Sequence, residues 1–347
     1  IVTGDDVEED FMKSVICVEP GRLEFVERPD PEAPAAGWAT VDIKHVGICG
    51  TDYHIYEGKH PFLEYPRVMG HELSGVVSAV GPGVALQVGT PVVVNPYIAC
   101  GHCVACRKGK PNCCTSIQVL GVHTDGGMAE KIVMPEGNLY PAEGLSLRDA
   151  AMVEFLAIGA HAVRRSQPEG GRALVVGVGP IGLGVAIFAR IAGLEVTLLD
   201  SSEERLAFAR DTLGFPNTAL TGPDAQKTLM DATGGDGFDV VYDATGNAQA
   251  IEAGFALVAH GGAYVLVSIV KDRISFSDPE FHKREMMLIG SRNATKVDFE
   301  HVVASIKAGK VPLDALATHS TTLDRLVTDM PVWSHDKRGL IKALIAV

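Results

Sequence analysis

The sequence has no excess of basic residues, no long apolar run and no basic N-terminal segment. Its 347 residues carry 30 lysines and arginines against 43 aspartates and glutamates, a formal net charge of −13. An acidic chain of this kind is a poor candidate for binding nucleic acid or anionic membranes. No run reaches the roughly 18 apolar residues of a membrane span, and the acidic start lacks the pattern of a secretory signal. We therefore expect neither a nucleic-acid nor a membrane partner.

Cysteine is scarce over most of the chain and concentrated in one segment. Five of the seven cysteines fall between Cys100 and Cys114. In a chain without a signal, such clustering predicts metal binding rather than disulfides, and a reducing cytoplasm as the compartment. Thiols at Cys100, Cys103, Cys106 and Cys114 can close a tetrahedron around zinc without an open position, which predicts a structural site. Iron–sulfur ligation is the main alternative, and Cys113 could in principle replace Cys114.

The length of the chain predicts two domains rather than one core. Residues 12 to about 158 contain short β-rich runs interrupted by proline and glycine, which is typical of a small barrel. From about residue 159, short buried strands alternate with helical segments, which predicts βαβ units on a parallel sheet. After residue 296 the chain is expected to rejoin the first domain. Residues 1–11, an acidic stretch before Met12, resemble a leader or a tag.

A glycine-rich turn, Gly177-Val-Gly179-Pro180-Ile181-Gly182, follows a predicted strand and opens a predicted helix. The first glycine permits the tight turn, the second lets the backbone approach a pyrophosphate, and the third lets helix and strand pack closely. Asp200 ends the next strand, where an acid can accept ribose hydroxyls and repel a 2′-phosphate. This pattern predicts NAD rather than NADP, although Arg205 lies near enough in sequence to receive a phosphate.

Further cofactor contacts are expected where the strands of the parallel sheet end, because ligands bind at that edge of such folds. The candidates are Ser201, Ala244, Thr245, Val267, Ser268, Ile269 and Arg292. Arg292 either pairs with the pyrophosphate or is a surface charge.

Two further segments carry potential metal ligands: Gly47-Ile-Cys49-Gly-Thr51-Asp52-Tyr-His54 and Gly70-His71-Glu72. A cysteine, a histidine and a carboxylate from separate segments can form a metal site that keeps one position for water or substrate. Taken alone, such residues are more often buried structure than ligands.

Together, these motifs resemble the zinc-containing medium-chain alcohol dehydrogenases from Met12 to the C-terminus, in particular the polyol, threonine and sugar-acid branch. The resemblance implies an α/β fold: a GroES-like β-barrel catalytic domain (12–158 and 297–347) and a Rossmann domain with a doubly wound parallel sheet (159–296), with the active site between them. It implies that Cys49 and His71 bind a catalytic zinc, with Glu72 as a ligand or exchangeable neighbour. Glu154 stands where this branch has a glutamate and ethanol-type members have a cysteine, so simple primary alcohols are in doubt as substrates.

The resemblance also implies the chemistry. Zinc would act as a Lewis acid on the substrate hydroxyl, and the hydride would pass to the nicotinamide. Thr51 would take the proton and pass it through the nicotinamide ribose to His54. Asp52 is expected to accept a hydrogen bond from His71. The alternative for Thr51 and Asp52 is simple capping of the loop.

The loop from Glu57 to Gly70 resembles that of L-galactonate and L-idonate-type dehydrogenases. We expect a polyhydroxylated secondary alcohol, such as an aldonate, as the substrate, with a polyol or L-threonine as alternatives. Lys59, His60 and Arg67 either meet its carboxylate and hydroxyls or are solvated. A catalytically silent NAD-binding structural protein is the non-enzymatic alternative, which the retained site residues disfavour. The family resemblance further implies a homo-oligomer, a tetramer or a dimer.

Overall fold

The computed structural model describes residues 10–60 and 63–347. Contacts divide the chain into two compact units. The first comprises the described residues up to Gly109, together with Cys114–Glu154 and Ala317–Val347; the second comprises Lys110–Cys113 and Phe155–Leu316. The predicted leader lies almost wholly outside the described residues. Phe11, however, begins the first strand and pairs with Pro29, so that strand starts one residue before the predicted start at Met12.

The first unit is built mainly of short strands. They are β1 (Phe11–Glu19), β2 (Arg22–Pro29), β3 (Trp38–Ile48), β4 (Arg67–Val68), β5 (Glu72–Val80), β6 (Pro91–Val94), β7 (Tyr97–Ile98), β8 (Gln118–Val119), β9 (Lys131–Pro135), β10 (Leu139–Pro141), β17 (Ala317–Thr322) and β18 (Lys342–Ala346). Its helices are α1 (Gly50–Tyr56), α2 (Val104–Arg107), α3 (Leu147–Ala150) and α12 (Leu326–His335).

The main sheet of this unit has the strand order β10-β6-β5-β3-β18-β17, and β9 also pairs with β3. Its pairs are antiparallel except for β17 and β18, which run parallel. Apolar side chains of β3 and β5, among them Val41, Leu73 and Val77, are fully buried in the core. The register of β3 against β5 places Gly47 opposite Glu72.

The second unit alternates strands and helices. The strands are β11 (Arg172–Val176), β12 (Glu195–Asp200), β13 (Asn217–Leu220), β14 (Phe238–Asp243), β15 (Val258–Leu266) and β16 (Met287–Gly290). The helices are α4 (Val153–Ser166), α5 (Pro180–Ile191), α6 (Glu203–Ala207), α7 (Ala225–Ala232), α8 (Ala248–Gly254), α9 (Asp278–Lys283), α10 (Lys296–Lys307) and α11 (Leu313–Leu316).

The six strands of this unit form one parallel sheet with the order β13-β12-β11-β14-β15-β16. The order runs outward in both directions from the β11–β14 pair, as in a doubly wound fold, and ligands bind where the direction changes. The predicted parallel sheet is therefore confirmed. Strand β13 and helix α7 were not predicted, because a short, half-buried edge strand such as Asn217–Leu220 carries little apolar signal.

The second unit extends through α10 and α11 to Leu316, whereas the sequence predicts its end at residue 296. One contact that joins α10 to this unit comes from the buried Asp298, in the first turn of α10, which bonds to His161 and Arg164 of α4. Among the described residues, the structure has no helix that is both long and apolar enough to cross a membrane.

Candidate active site

A cluster of potential metal ligands lies at the ends of two segments of the first unit. Cys49 follows β3 and caps the N-terminus of α1. His71 precedes β5, after a turn in which Gly70 has a φ of 93°, a left-handed conformation that favours glycine. Glu72 is the first residue of β5. One ligand atom from each of Cys49, His71 and Glu72 lies within 4.8 Å of the others.

Asp52 holds these two segments together. One carboxylate oxygen accepts a hydrogen bond from the Cys49 amide at 2.8 Å, and the other accepts one from the Gly70 amide at 3.2 Å. Burial raises the pKa of this fully buried carboxyl group, although the neighbouring His71 and the two amides act in the opposite direction. Its distance from His71 Nδ1 is 3.9 Å. That is too long for the direct hydrogen bond expected from the sequence, and the Gly70 amide donates to that carboxylate oxygen instead.

The two buried glutamates of the site have different partners. Lys342 Nζ donates to both carboxylate oxygens of Glu72, at 2.6 and 2.7 Å. The Tyr97 hydroxyl donates to Oε1 of Glu154. Burial raises the pKa of Glu154 to about 7, with a further contribution from the charge of Glu72 and opposition from His71 and Tyr97. Glu72 therefore has a cation as its hydrogen-bond partner, whereas the partner of Glu154 is an uncharged hydroxyl group.

The donor set fits a zinc ion. A thiol, an imidazole and carboxylates are the groups that bind zinc in catalytic sites. The buried Oε2 atom of Glu154 has no hydrogen-bond partner among the described residues, although buried carboxylate oxygens are normally bonded. Glu154 is not among the three residues whose ligand atoms lie within 4.8 Å of one another. The nearby charges of His71 and Glu72 nevertheless act on its pKa, which indicates that it faces the same site.

Helix α1 also carries the residues of the predicted proton path. Thr51 is half-buried, with its Oγ1 atom 3.8 Å from the sulfur of Cys49. His54 lies three residues further on, hence on the same face of the helix, and is exposed to solvent. The structure thus brings Thr51 to the cluster and leaves His54 in contact with water.

The four cysteines of the second predicted site converge. The sulfur atoms of Cys100, Cys103, Cys106 and Cys114 lie within 4.8 Å of one another, and all four are free thiols. Backbone amides already point at the sulfurs: the amide of Cys103 donates to Cys100 at 3.4 Å, and that of Cys100 donates to Cys114 at 3.3 Å. Hydrogen bonds from the Cys106 and Thr115 backbone lower the pKa of Cys103 to about 5. The thiolate is thus stabilised at Cys103, whereas burial and the hydrogen bond with Cys103 raise the pKa of Cys106. The four convergent sulfurs fit a closed tetrahedral metal site; Cys113 is exposed and lies outside it.

The glycine-rich turn has the geometry that the sequence predicts. Gly177 has a φ of 90°, and a side chain on Gly182 would overlap the carbonyl oxygen of Gly177. A Cβ atom on Gly179 would meet nothing within 4 Å, so the backbone there faces open space that a phosphate can enter. Pro180 and Ile181 form the first turn of α5, whose N-terminus attracts anions.

A cavity of about 740 Å³ opens beside this turn, lined by residues that include Gly177, Gly179, Asp200, Ser201 and Arg205. One carboxylate oxygen of Asp200 accepts a hydrogen bond from the Val178 amide at 2.6 Å, and the other accepts one from the Ser202 amide at 2.8 Å. Each oxygen retains a second lone pair. The cavity and its acidic side chain fit the adenosine half of a dinucleotide.

The other predicted cofactor residues lie where β14, β15 and β16 end. Ala244 and Thr245 follow β14, and both also line the cavity. Val267, Ser268 and Ile269 follow β15; the Ser268 hydroxyl accepts from the Gly246 amide at 2.7 Å and donates to the buried Asp243 at 3.3 Å. Arg292 follows β16 with an exposed side chain. These residues therefore share the carboxyl edge of one sheet.

Two residues of the loop before Gly70 are engaged elsewhere. Lys59 pairs with Glu57 at 2.7 Å and Arg67 pairs with Asp125 at 3.4 Å. Sequence reasoning missed the two buried partners of the glutamates, Tyr97 and Lys342. A lysine inside the apolar strand Lys342–Ala346 is a usable signal, because lysine is almost never fully buried without a partner. Tyr97 offers no comparable signal.

Comparisons with known proteins agree with this geometry. A family model described as an alcohol dehydrogenase GroES-like domain matches residues 35–144, and one described as zinc-binding dehydrogenase matches residues 180–308. The chain is 41% identical over 336 residues to an L-galactonate-5-dehydrogenase of Escherichia coli strain K12, covering 96% of this chain and 98% of that protein. It is 33% identical over 327 residues to a D-altritol 5-dehydrogenase of Agrobacterium fabrum, covering 91% and 94%. The crystal structure of a short chain alcohol dehydrogenase (rspB) from Escherichia coli CFT073, complexed with the cofactor NADH, superimposes with a TM-score of 0.91 at 31% identity, covering 97% and 99%.

Proposed function

Because the chain belongs to the zinc-type medium-chain alcohol dehydrogenase family, we propose that it oxidises a secondary hydroxyl group of a polyhydroxylated sugar acid or polyol with NAD. The observation that carries the proposal is the convergence of the half-buried Cys49 with the buried His71 and Glu72, in a chain whose other unit offers a dinucleotide cavity. The two named relatives supply the substrate class, since one is an L-galactonate-5-dehydrogenase and the other a D-altritol 5-dehydrogenase.

Two zinc ions per chain are proposed. Cys49 and His71 would bind the catalytic ion, with Glu72 and Glu154 as the carboxylates available to it, and Cys100, Cys103, Cys106 and Cys114 would bind the structural ion. When bound, the catalytic zinc supplies a Lewis acid for the substrate hydroxyl, and the dinucleotide supplies the hydride acceptor. The four-cysteine set leaves no open position, so its role is to stabilise the lobe that carries it.

The residues of α1 would handle the substrate proton. Thr51, half-buried next to Cys49, is placed to accept a proton at its Oγ1 atom and pass it on. His54 is exposed and can exchange a proton with water near neutral pH. Asp52, which bonds to the Cys49 and Gly70 amides, keeps the segments of Cys49 and His71 in place during this transfer.

NAD is proposed as the cofactor because of Asp200. Its carboxylate oxygens each use one lone pair on a backbone amide, which leaves the other for the adenosine ribose hydroxyls. A 2′-phosphate would meet this buried negative charge. For the rest of the dinucleotide, we propose that Gly177 to Gly182 contact the pyrophosphate. The other proposed cofactor contacts are Ser201, Arg205, Ala244, Thr245, Val267, Ser268, Ile269 and Arg292.

We further propose that the chain works as a homo-oligomer in the cytoplasm, with four copies as the expected number. The sheet of the second unit ends at β16, where Met287 and Leu288 are exposed, and an edge strand with apolar side chains is a ready surface for pairing with another copy. The seven free cysteines are consistent with a reducing compartment.

Zinc analysis and a substrate panel test the proposal. We expect two zinc ions per chain and NAD reduction with aldonates and polyols, faster than with L-threonine. Cys49→Ser should remove one zinc and the activity while NADH still binds, because Cys49 belongs to the first unit and the dinucleotide turn and its cavity are built from residues of the second. The matched control, Cys113→Ser, changes an exposed thiol outside both clusters and should leave zinc content and activity as in wild type. A fully metallated protein that reduces no dinucleotide with any of these alcohols would refute the proposal.

A further inference from the structure

A buried network of hydrogen bonds inside the second unit joins three segments that are far apart in the chain. Asn112 lies in a short 3₁₀ turn (Pro111–Cys113), His161 lies in α4, and Arg292 follows β16. The side-chain nitrogen of Asn112 donates to the Arg292 carbonyl oxygen at 2.9 Å and faces Nε2 of His161 at 3.3 Å. Asn112 and His161 are each only 4% exposed. None of the steps proposed above uses this network.

The direction of each hydrogen bond follows from the Arg292 carbonyl, which can only accept. Asn112 must therefore turn its NH₂ group toward Arg292, and the same group faces His161, so Nε2 of His161 is the acceptor. Nδ1 then donates to a carboxylate oxygen of Asp298 at 2.8 Å, and it also faces Nη2 of Arg164 at 3.2 Å. The chain of bonds thus runs from Asp298 through His161 to Asn112 and the main chain at Arg292.

Asp298 anchors the network. It is 1% exposed and binds Arg164 through both oxygens, at 2.7 and 3.0 Å. It also accepts from the Thr295 amide at 2.8 Å and so caps α10. Burial raises its pKa, but the hydrogen bonds from His161 and Arg164 outweigh that effect and hold the pKa below its ordinary value. The residue is therefore a carboxylate that fixes both His161 and the end of the loop that follows β16.

This loop, residues 291–295, lies at the carboxyl edge of the parallel sheet. The Ser291 amide donates to the Leu266 carbonyl at 2.9 Å, which continues the pairing of β15 and β16. The Ser291 hydroxyl is buried without a partner among the described residues, and the Arg292 side chain is exposed. Asn293 has a φ of 51°, a left-handed conformation that asparagine tolerates. Both ends of the loop are held by main-chain bonds, and Asn112 binds its middle.

We propose that Asn112, oriented by the His161–Asp298 pair, is a positioning residue for dinucleotide binding, because it fixes the main chain at Arg292 and so presents residues 291–293 to the phosphate and nicotinamide half of the cofactor. This inference rests on the proposed function, which places a dinucleotide at the carboxyl edge. The adenosine cavity is independent of the network, since its lining residues run from Val176 to Leu257 and include none from the loop. Loss of the Asn112 contact should therefore weaken binding of the whole dinucleotide but not of its adenosine fragment.

Binding of NADH and of AMP to the zinc-loaded protein tests this separation. In Asn112→Ala and in the isosteric Asn112→Asp, which lacks the donor, we expect the Kd for NADH to rise about tenfold, the usual effect of losing one well-placed hydrogen bond. The Kd for AMP and the zinc content should stay as in wild type. Ser166→Ala is the matched control: its hydroxyl is buried in the same helix as His161 and bonds to Tyr242 at 2.8 Å, away from the loop, so both affinities should be unchanged.

Equal weakening of NADH and AMP, or an unchanged NADH affinity in both Asn112 variants, would overturn the inference. Failure of the wild-type protein to bind NADH would instead refute the proposed function. Hydrogen exchange on the wild-type protein supplies a test that needs no variant: NADH should protect the amides of residues 291–295 and AMP should not. Absence of protection by NADH would exclude the loop from the binding site even if both Asn112 variants failed to fold.

Discussion

The Lys342→Met substitution removes a buried cation from the first unit while keeping a side chain of similar length. Lys342 is 2% exposed, and its Nζ atom contacts both carboxylate oxygens of the fully buried Glu72. A third bond reaches the Ile48 carbonyl at 3.2 Å. Methionine can make none of these bonds. The substitution therefore leaves a carboxylate inside the unit without its counter-charge, while the packing volume changes little.

Removing one partner of a buried ion pair costs about 3–5 kcal/mol, because the remaining charge keeps its desolvation penalty. We expect a loss in this range for the free energy of unfolding of the Lys342→Met protein without metal. Adding Glu72→Gln removes the second charge, and uncharged replacements of a buried pair are often close to neutral. The double variant should therefore recover roughly half of the loss or more, which in a double-mutant cycle appears as a coupling energy of about 2 kcal/mol.

Urea unfolding followed by tryptophan fluorescence measures this effect, since both tryptophans, Trp38 and Trp333, lie in the first unit. The protein is treated with a chelator so that metal binding adds nothing to the stability. Lys337→Met is the control: this lysine lies 3.3 Å from Glu57, its side chain is 43% exposed, and such pairs contribute about 1 kcal/mol or less. The reasoning is refuted if Lys342→Met costs no more than Lys337→Met, or if the two substitutions of the cycle are additive.

Three further predictions concern the second unit. Gly182→Ala should abolish NADH binding and lower the melting temperature, because its Cβ atom would overlap the Gly177 carbonyl; calorimetric titration measures the binding, and wild-type affinity would contradict the close approach. Asp298→Asn should destabilise the unit at pH 7 by about 1.5–3 kcal/mol. The difference in the free energy of unfolding between wild type and this variant should shrink as the pH falls below about 4 toward the lowered pKa of Asp298, because the native carboxylate then takes up a proton. Unfolding followed by circular dichroism at pH 7 and pH 3 tests the sign of this change. Asp200→Gly should reduce the preference for NAD over NADP, measured as the ratio of kcat/KM values, and an unchanged ratio would remove Asp200 from cofactor selection.

The sequence predicts those parts of the molecule that are formed by residues close to one another in the chain. The predicted alternation of short strands and helices after residue 159, with Asp200 at the end of a strand, agrees with the structure, because strands such as β12 and β14 are short apolar runs flanked by turn residues. The glycine turn and the cysteine spacing are also local, since each places its functional atoms within a few residues of one another. In such patterns the spacing of the residues is enough to predict the local geometry, without knowledge of how the elements pack.

The remaining features depend on contacts between distant residues. Lys342 and Glu72 are separated by 270 positions, and Asn112 and Arg292 by 180. Their encounter is set by the register of β18 and β3 in one unit and by the packing of α4 and α10 in the other. The expected Asp52–His71 bond is not formed, because the carboxylate accepts from two backbone amides: that of Cys49, as the capping alternative predicts, and that of Gly70, which belongs to another segment. A buried polar group forms hydrogen bonds with the groups that the fold places next to it, and only the structure identifies those partners.

The two carboxylates of the first-unit cluster have partners in the protein that restrain them, and so does the backbone that carries Cys49 and precedes His71. Asp52 bonds to the backbone of the Cys49 and Gly70 segments, Lys342 holds Glu72, and Tyr97 holds one oxygen of Glu154. Short zinc-binding domains fold only when the metal arrives, so that binding and folding are one event. Where buried partners already restrain the ligands, folding and metal binding become separate events. The entropy of fixing the ligand side chains is then lost when the β-rich unit folds, before the metal binds. It follows that substitutions of the partners should lower metal affinity without removing a ligand, and that the chelated unit should keep its fold.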